Sequence, residues 1–267
     1  MANLALQSAS TGLNALNTKL DVIAHNLSNV NTSGFKASRA NFQDLIYVER
    51  AQPGTENALG DSRPTGLYVG LGVKVSGTQL DLAPGASLAT NRPLDLRIDG
   101  SGFFQVQIED DEGAVGYTRS GNFAVNRDGE LVLANDQGRR VLPIVNIPDD
   151  ADEIDITSDG RVFVRLPGDN EPQEVGQLEI STFINPAGLK PIGENLFVET
   201  AGSGPPTTGV PGEENRGRMT QGMLEGSNVD PTFELIELIR TQRAFEMNSQ
   251  AIRAADETLR AIGQLRR

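Results

Sequence analysis

The strongest constraint on the fold of this chain is a seam of apolar residues near its N-terminal end. The spacings along the seam are three and four residues, and its members are Leu13, Leu16, Leu20, Ile23, Leu27 and Val30. This is the heptad spacing of helices that pack against other helices. It predicts a helix from about Ala2 to Asn31, with Gly34 beyond it as a left-handed C-terminal cap. A single helix is marginally stable in water, so this seam needs a partner.

A second seam of the same kind lies at the C-terminal end. Asp230-Pro231 predicts the start of a helix, because Asp is a favoured N-cap and Pro suits the first helical position. The apolar residues that follow are Leu235, Leu238, Phe245, Ile252 and Leu259, the last four of them seven residues apart. Neither terminal helix can bury its seam alone. We therefore expect the two helices to pack on each other and on copies of themselves.

Between the helices, the sequence indicates β structure. Short apolar runs alternate with turns, of which Asp128-Gly129 and Asp159-Gly160 are the clearest hairpin signals. Residues 201–217, rich in Gly, Pro and Thr, are expected to form a loop. Residues 47–66 differ from the rest, and we expect them to form a long extended insertion. Its characteristic residues are Tyr47, Gln52, Pro53, Gly54 and Pro64.

These features predict an α+β fold. Long N- and C-terminal helices pack as a coiled-coil-like pair, and a central, mostly antiparallel β domain and an extended linker complete the chain. The expected boundaries are 1–35 for the N-terminal helix, 36–72 for the linker with its insertion, 73–222 for the β domain and 223–267 for the C-terminal helix.

Charge is distributed unevenly along the chain. The formal net charge is −13, yet the first 35 residues contain one Lys and one Asp, and the last 40 contain six Arg and six acidic residues. All the excess negative charge therefore lies in the middle. Nucleic acid is not an expected partner, because a duplex requires a basic surface. The first residues lack a basic segment followed by an apolar one, so we expect no cleaved signal peptide.

No catalytic, metal-binding or cofactor site is expected. The chain has no Cys and one His, His25, so neither a triad nor a histidine metal site has a second member. Acidic clusters at 109–112 and 149–153 fall in expected turns, where solvated carboxylates are ordinary. The alternative from another class is a secreted hydrolase on a β scaffold, which would need two facing carboxylates in a cleft.

Two motifs resemble the signatures of the flagellar rod and hook protein family. Residues 25–36, His-Asn-Leu-Ser-Asn-Val-Asn-Thr-Ser-Gly-Phe-Lys, are similar to its N-terminal signature, with Ser28 where Ala is common. Residues 227–229 and 241–249 are similar to its C-terminal signature. The motif positions are Asn26, Asn29, Asn31, Gly34, Phe35, Gln242, Arg243, Phe245 and Asn248.

The resemblance implies an axial protein of the bacterial flagellum. The 47–66 insertion, with Gln52-Pro53-Gly54, resembles the distal-rod branch of the family and favours a rod member over a hook member; a proximal-rod or hook relative is the alternative. Such proteins are implied to pass through the flagellar type III export apparatus, to polymerise helically across the periplasm and to transmit torque. The implied partners are further copies of the chain, proximal-rod proteins, hook protein, and the L-ring and P-ring proteins.

Overall fold

The chain folds into two compact units. The computed structural model describes residues 2–54, 64–108, 114–168 and 171–265. The first unit, here called the helical unit, is built from segments within 1–28, 38–80 and 230–267. The second, the β unit, is built from segments within 29–37 and 81–229.

The helical unit contains two long helices and a long β-hairpin. Its elements are α1 (Ala2–Ser28), β1 (Ser38–Asp44), β2 (Tyr47–Ala51), β3 (Leu67–Gly70), β4 (Val73–Leu80) and α2 (Pro231–Leu265). Strand β1 pairs with β4 and strand β2 with β3, both antiparallel. The Leu45 amide donates to the Gly72 carbonyl, and the Leu71 amide to the Ile46 carbonyl, so the two strand pairs form one hairpin. The outer pair, β2 with β3, is called the ribbon below.

The helix boundaries follow local side-chain chemistry. Helix α2 begins as predicted, because the Asp230 carboxylate accepts hydrogen bonds from the amides of Thr232 and Phe233 at 2.8 and 3.2 Å. Helix α1 ends at Ser28, three residues before the predicted end. Beyond it the Thr32 hydroxyl donates to the Asn29 side chain and the Thr32 amide to the Asn29 carbonyl. Such local bonds compete with helical ones and turn the chain.

The two helices pack antiparallel within the helical unit. The Asn26 side chain donates to Glu234, whereas the Asn248 side chain donates to the Ala9 carbonyl. Residues near the end of α2 therefore contact residues near the start of α1. The strands β1 and β4 also pack against α1.

The β unit is antiparallel throughout its paired strands. Its strands are β5 (Ser87–Ala89), β6 (Leu96–Asp99), β7 (Phe103–Gln107), β8 (Val115–Thr118), β9 (Phe123–Val125), β10 (Leu131–Leu133), β11 (Val141–Leu142), β12 (Glu153–Ile156), β13 (Arg161–Arg165), β14 (Gln173–Gln177), β15 (Ile180–Thr182), β16 (Lys190–Gly193), β17 (Leu196–Val198), β18 (Thr207–Gly209), β19 (Arg218–Gln221) and β20 (Met223–Glu225). The largest sheet has the order β16-β17-β8-β7-β15-β18, with β11 also paired to β7. The predicted α+β class, with terminal helices and a central antiparallel region, is therefore confirmed.

The hairpins that the sequence predicted are present. Strands β9 and β10 pair across the Asp128-Gly129 turn, and β12 and β13 pair across Asp159-Gly160. The prediction of a loop over 201–217 is wrong at β18, which pairs with β15 at the edge of the large sheet. Two β-branched threonines, Thr207 and Thr208, lie in this short strand, and Thr suits a strand better than its Gly- and Pro-rich surroundings suggest.

The core of the β unit is made from the inward-facing apolar residues of several strands. Phe104 and Phe123 are buried edge to face, with ring centroids 5.0 Å apart. Around them pack Leu96, Ile98, Val106, Leu131, Val162, Val164, Leu178, Ile180 and Leu196. Within the described ranges, no helix is long and apolar enough to cross a membrane.

Gly34 occupies a position that only glycine fits. Its φ angle is +71°, as the sequence predicted for a left-handed residue. An added Cβ would lie 2.5 Å from the backbone nitrogen of Ser120. The Gly34 amide donates to the Glu225 carbonyl at 2.8 Å, so it lies in the β unit rather than capping α1.

Replacing Gly34 by Ala should therefore destabilise the β unit by more than backbone strain alone. We expect Gly34→Ala to lower the free energy of unfolding by about 3 kcal/mol, because collision adds to the left-handed conformation. The matched control is Gly138→Ala, where φ is +58° and nothing lies within 4 Å of the added Cβ; it should cost about 1 kcal/mol. Urea unfolding of the full chain measures both, and equal losses would contradict the steric argument.

Candidate functional site

The predicted seam residues lie at different depths in the helical unit. In α1, Ile23 is buried, with 3% of its surface exposed. The half-buried seam residues of the two helices are Leu13, Leu16, Leu20, Leu27, Leu238, Phe245 and Ile252. By contrast, Leu235 and Leu259 are 48% and 39% exposed. Val30 lies beyond the end of α1, in the β unit, and is half-buried there.

A polar track that the sequence analysis missed faces the interior of the helical unit. Glu234, Thr241 and Asn248 are seven residues apart on α2; the first two are buried and the third is half-buried. Their spacing equals that of the apolar seam, and this repeat was the available signal. The track was not recognised because its residues are polar, and a polar residue at a seam position suggests an interruption of the seam rather than a contact.

Asn26 connects three elements of the helical unit. Its amide nitrogen donates to the Ser38 carbonyl at 2.8 Å and to the Glu234 carboxylate at 2.9 Å. The Ser38 amide donates back to the Asn26 carbonyl oxygen at 2.9 Å. Asn26 is 2% exposed, so these bonds satisfy a buried amide. Burial raises the pKa of Glu234, while the bond from Asn26 opposes that rise.

Two further polar contacts join the helices. The Lys19 ammonium lies 2.7 Å from the Glu237 carboxylate, and this bond lowers the pKa of Glu237. The Asn248 side chain donates to the Ala9 carbonyl at 3.1 Å. Gly12 makes room for that side chain, since a Cβ at position 12 would lie 2.4 Å from the Asn248 amide nitrogen.

The other motif residues divide between the two units. Asn31, Gln242 and Arg243 are exposed, whereas Asn29 is half-buried. Gly34 and Phe35 are buried in the β unit. The family signatures thus contain both internal contacts and residues directed at solvent.

A buried cluster of three charges, which we call the ion triad, lies in the β unit. The Lys36 ammonium is 2.6 Å from one oxygen of Glu225, and the Arg119 guanidinium is 3.3 Å from the other. The exposed fractions of the Lys36, Glu225 and Arg119 side chains are 0%, 1% and 6%. Burial lowers the pKa of Lys36 and of Arg119, and the charge of Glu225 opposes both shifts.

Further hydrogen bonds connect the triad to nearby backbone groups. The Lys36 ammonium also donates to the Ala83 carbonyl at 2.8 Å, and the Gly85 amide donates to Glu225 at 3.0 Å. Arg119 donates to the Gly100 carbonyl at 2.8 Å and lies 5.2 Å from the centre of the Phe103 ring.

The triad joins the two signature segments. The Ala37 amide donates to the Asn228 side chain at 2.7 Å, and that side chain donates to the Asp81 carbonyl at 2.8 Å. Residues 34–37 and 225–228 are therefore bound to each other in the β unit, although about 190 residues separate them along the chain. In the sequence these segments belong to two separate motifs.

The arrangement offers contacts rather than a reaction centre. His25 lies on the exposed side of α1. In the second acidic cluster, Glu153 forms an exposed ion pair with Arg165 on the neighbouring strand. The first acidic cluster, 109–112, lies outside the described residues. The part of the chain that the structure describes holds no group of three or more His, Cys, Asp or Glu residues arranged to bind a metal ion.

Comparison with known proteins identifies the family. The model "Flagella basal body rod protein" matches residues 6–36, "Flagellar hook protein FlgE/F/G D1 domain" matches 97–164, and "Flagellar basal body rod FlgEFG protein C-terminal" matches 220–265. The flagellar basal-body rod protein FlgG of Borreliella burgdorferi is 45% identical over 98% of both chains. The chain belongs to the FlgG family of flagellar basal-body rod proteins.

Other relatives agree with this family. FlgG of Caulobacter vibrioides is 43% identical, over 98% of this chain and 99% of its own. The Bacillus subtilis hook-basal body complex protein FlhP is 32% identical over the same shares. The family consists of structural rod proteins, so the prediction of a non-enzymatic, structural component of the flagellar basal body is confirmed, and the hydrolase alternative is set aside.

The ion triad should show strong energetic coupling. We expect Glu225→Gln to lower the free energy of unfolding by about 3–5 kcal/mol, because it leaves two buried cations unpaired. Lys36→Met should cost less, since Arg119 still pairs with Glu225. The double variant should lose less than the two singles combined, by about 1–3 kcal/mol.

Urea unfolding of the full chain gives this double-mutant cycle. The matched control is Glu153→Gln, which removes an exposed ion pair and should change stability by less than about 1 kcal/mol. Strictly additive losses at positions 36 and 225 would show that the triad is not a coupled unit.

Proposed function

We propose that copies of this chain polymerise helically into the distal part of the flagellar rod, the shaft that transmits torque from motor to hook. The observation that carries the proposal is the apolar surface that the helical unit leaves in water. Helix α2 exposes Phe233 (59%), Leu235 (48%), Ile236 (44%), Ile239 (48%) and Met247 (64%). Large exposed apolar residues grouped in this way mark an interaction surface.

The coiled-coil pairing of the helices is part of this proposal. The antiparallel contacts and the seven-residue tracks of α2 support it. Leu16, Leu20 and Phe245 are half-buried, so each still has accessible apolar surface that a further copy of the chain can bury. This supports packing by further copies. In the polymer, the terminal segments 1–35 and 223–267 line the inner tube, the linker 36–72 carries the insertion, and the β domain, 73–222, forms the outer wall.

The charge distribution supports the same arrangement. The terminal segments 1–35 and 228–267 each contain equal numbers of basic and acidic residues, whereas the middle carries the whole excess of −13. Like-charge repulsion between closely packed copies is then small at the helices. The acidic β region stays in water, where its charge keeps neighbouring outer surfaces apart.

The further partners are those that a distal-rod position requires. They are the proximal-rod proteins, the hook protein, the L-ring and P-ring proteins, and the flagellar export apparatus, through which the chain crosses the membrane. Family membership supports a place in the axial assembly. The signature segments and the insertion support the position within it.

A charge on the seam should prevent polymerisation. We expect Leu20→Asp and Phe245→Asp to abolish assembly, because an unpaired buried carboxylate costs several kcal/mol in each copy. Leu20→Met is the matched control, since it conserves volume and should assemble. Electron microscopy of concentrated protein measures assembly, and urea unfolding checks that the β unit is intact. Normal filaments from either Asp variant would refute the role of the seam.

The ribbon supports a proposal about stiffness. Its strands pair Val48 with Val69 in register, and Val48 and Leu67 are 38% and 54% exposed. The predicted insertion thus contains β2 and the turn after it, while residues 55–63 lie outside the described residues. A two-stranded ribbon is marginally stable alone, so its apolar side chains favour contact with neighbouring copies. We propose that it fills the gap between them and blocks the sliding that bending requires.

Removing the ribbon should give flexible filaments. Replacing residues 47–70 by an Asn-Gly turn joins Ile46 to Leu71 at the existing hairpin bonds and keeps β1 paired with β4. We expect polymerisation to persist and filaments to curve, as measured from their persistence length in electron micrographs. A control variant, Val48→Ser with Leu67→Ser, keeps the ribbon's length without its apolar contacts. Unchanged stiffness in the deletion variant would assign stiffness to the β unit instead.

A further inference from the structure

The two helices of the helical unit are unequal in length. Helix α1 has 27 residues and α2 has 35. Asn248 contacts Ala9, and α1 extends only seven residues beyond Ala9, to Ala2. Helix α1 therefore accompanies α2 only as far as about residue 255. The remainder of α2, residues 256–265, is called the overhang; it is about 15 Å long at ~1.5 Å per residue.

The apolar seam of α2 continues into the overhang. Leu238, Phe245 and Ile252 are half-buried along the part of α2 that α1 accompanies, whereas Leu259, the next member of the repeat, is 39% exposed. The overhang thus presents the same surface that packs elsewhere in the unit, without the helix that packs on it.

An apolar groove lies at the opposite end of the helix pair. It has a volume of about 310 Å³, and its apolar lining residues are Val22 and Ile23 of α1, Ala40 and Phe42 of β1, and Phe233 of α2. Its polar and charged lining residues are Lys19, Asn26, Ser38, Arg39, Glu234 and Glu237. Phe42 and Phe233 are 42% and 59% exposed at this groove. An apolar cavity of ~150 Å³ accommodates benzene, so the groove has room for two side chains of leucine size.

We propose that the overhang of one copy docks into this groove on the next copy. The proposal rests on the self-assembly proposed above and names the surfaces that meet. Continuity with the seam inside the helical unit favours a second copy as the occupant, because the overhang repeats the spacing that already packs on a helix. Charge does not oppose the contact, since Lys19 and Arg39 at the groove are balanced there by Glu234 and Glu237.

The placement of the two surfaces explains why the product is a filament. Overhang and groove are different surfaces at opposite ends of the helix pair, so each copy offers one of each. A contact of this kind is head-to-tail and leaves a free groove and a free overhang after every addition. Such contacts generate open helical polymers unless the rotation closes a ring.

Disulfide crosslinking tests the contact directly, because the chain has no cysteine of its own. The test variant combines Leu259→Cys with Phe233→Cys, and a second combines Leu259→Cys with Phe42→Cys in case position 233 tolerates no change. After oxidation at polymerising concentration, we expect at least one of them to give a ladder of dimers, trimers and larger species. Single-cysteine variants can give dimers at most. The matched control is Thr258→Cys with Phe233→Cys, which moves the thiol to another side of the same exposed turn.

The outcomes separate this inference from the proposed function. If filaments form but neither test variant gives more ladder than the Thr258→Cys control, the overhang does not dock in the groove, and the proposed polymerisation stands. If the unsubstituted chain forms no filaments, both proposals fail. Circular dichroism of the reduced variants confirms that the helices are present before crosslinking is scored.

Discussion

The β unit depends on one buried carboxylate. Glu225 lies between Lys36 and Arg119, which come from segments far apart along the chain, and both of its oxygens are paired. Two buried cations beside a single anion leave an excess positive charge, which carbonyl oxygens and the Phe103 ring help to compensate. A buried ion pair contributes little net stability compared with apolar packing, yet losing one partner is costly. This makes the triad a determinant of which segments meet rather than a source of stability.

The helical unit uses a similar principle with buried polar groups. Asn26 and Glu234 form a buried polar contact between two helices whose predicted seam residues are apolar. A polar residue at a seam position typically fixes register at some expense of stability. Here the bonds from Asn26 also reach Ser38, so the register of the helices and the position of β1 are set by the same side chain. The apolar residues of α2 are thereby left for contacts outside the chain.

Much of this arrangement follows from local sequence signals. The start of α2 at Asp230-Pro231, the hairpin turns at Gly129 and Gly160, and the burial of Ile23 all reflect spacing or turn chemistry that a single segment carries. The ion triad could not be predicted, because Lys36, Arg119 and Glu225 are ordinary charged residues until folding removes them from water. The polar track of α2 was concealed for a related reason: its repeat is regular, but only the partner helix shows that it faces inward. The ribbon's pairing was missed because β2 and β3 are separated along the chain by residues of mixed composition.

The antiparallel pairing of the terminal helices also affects the order in which the molecule can fold. Lys19 and Glu237 are 218 residues apart in sequence, so their contact closes almost the whole chain. The hairpins of the β unit, by contrast, join neighbours such as Phe123–Val125 and Leu131–Leu133. Contacts between near neighbours form faster than those that close long loops. During synthesis from the N-terminus, α1 can pack against β1 and β4 early, but its contact with α2 must wait until Pro231–Leu265 has been made.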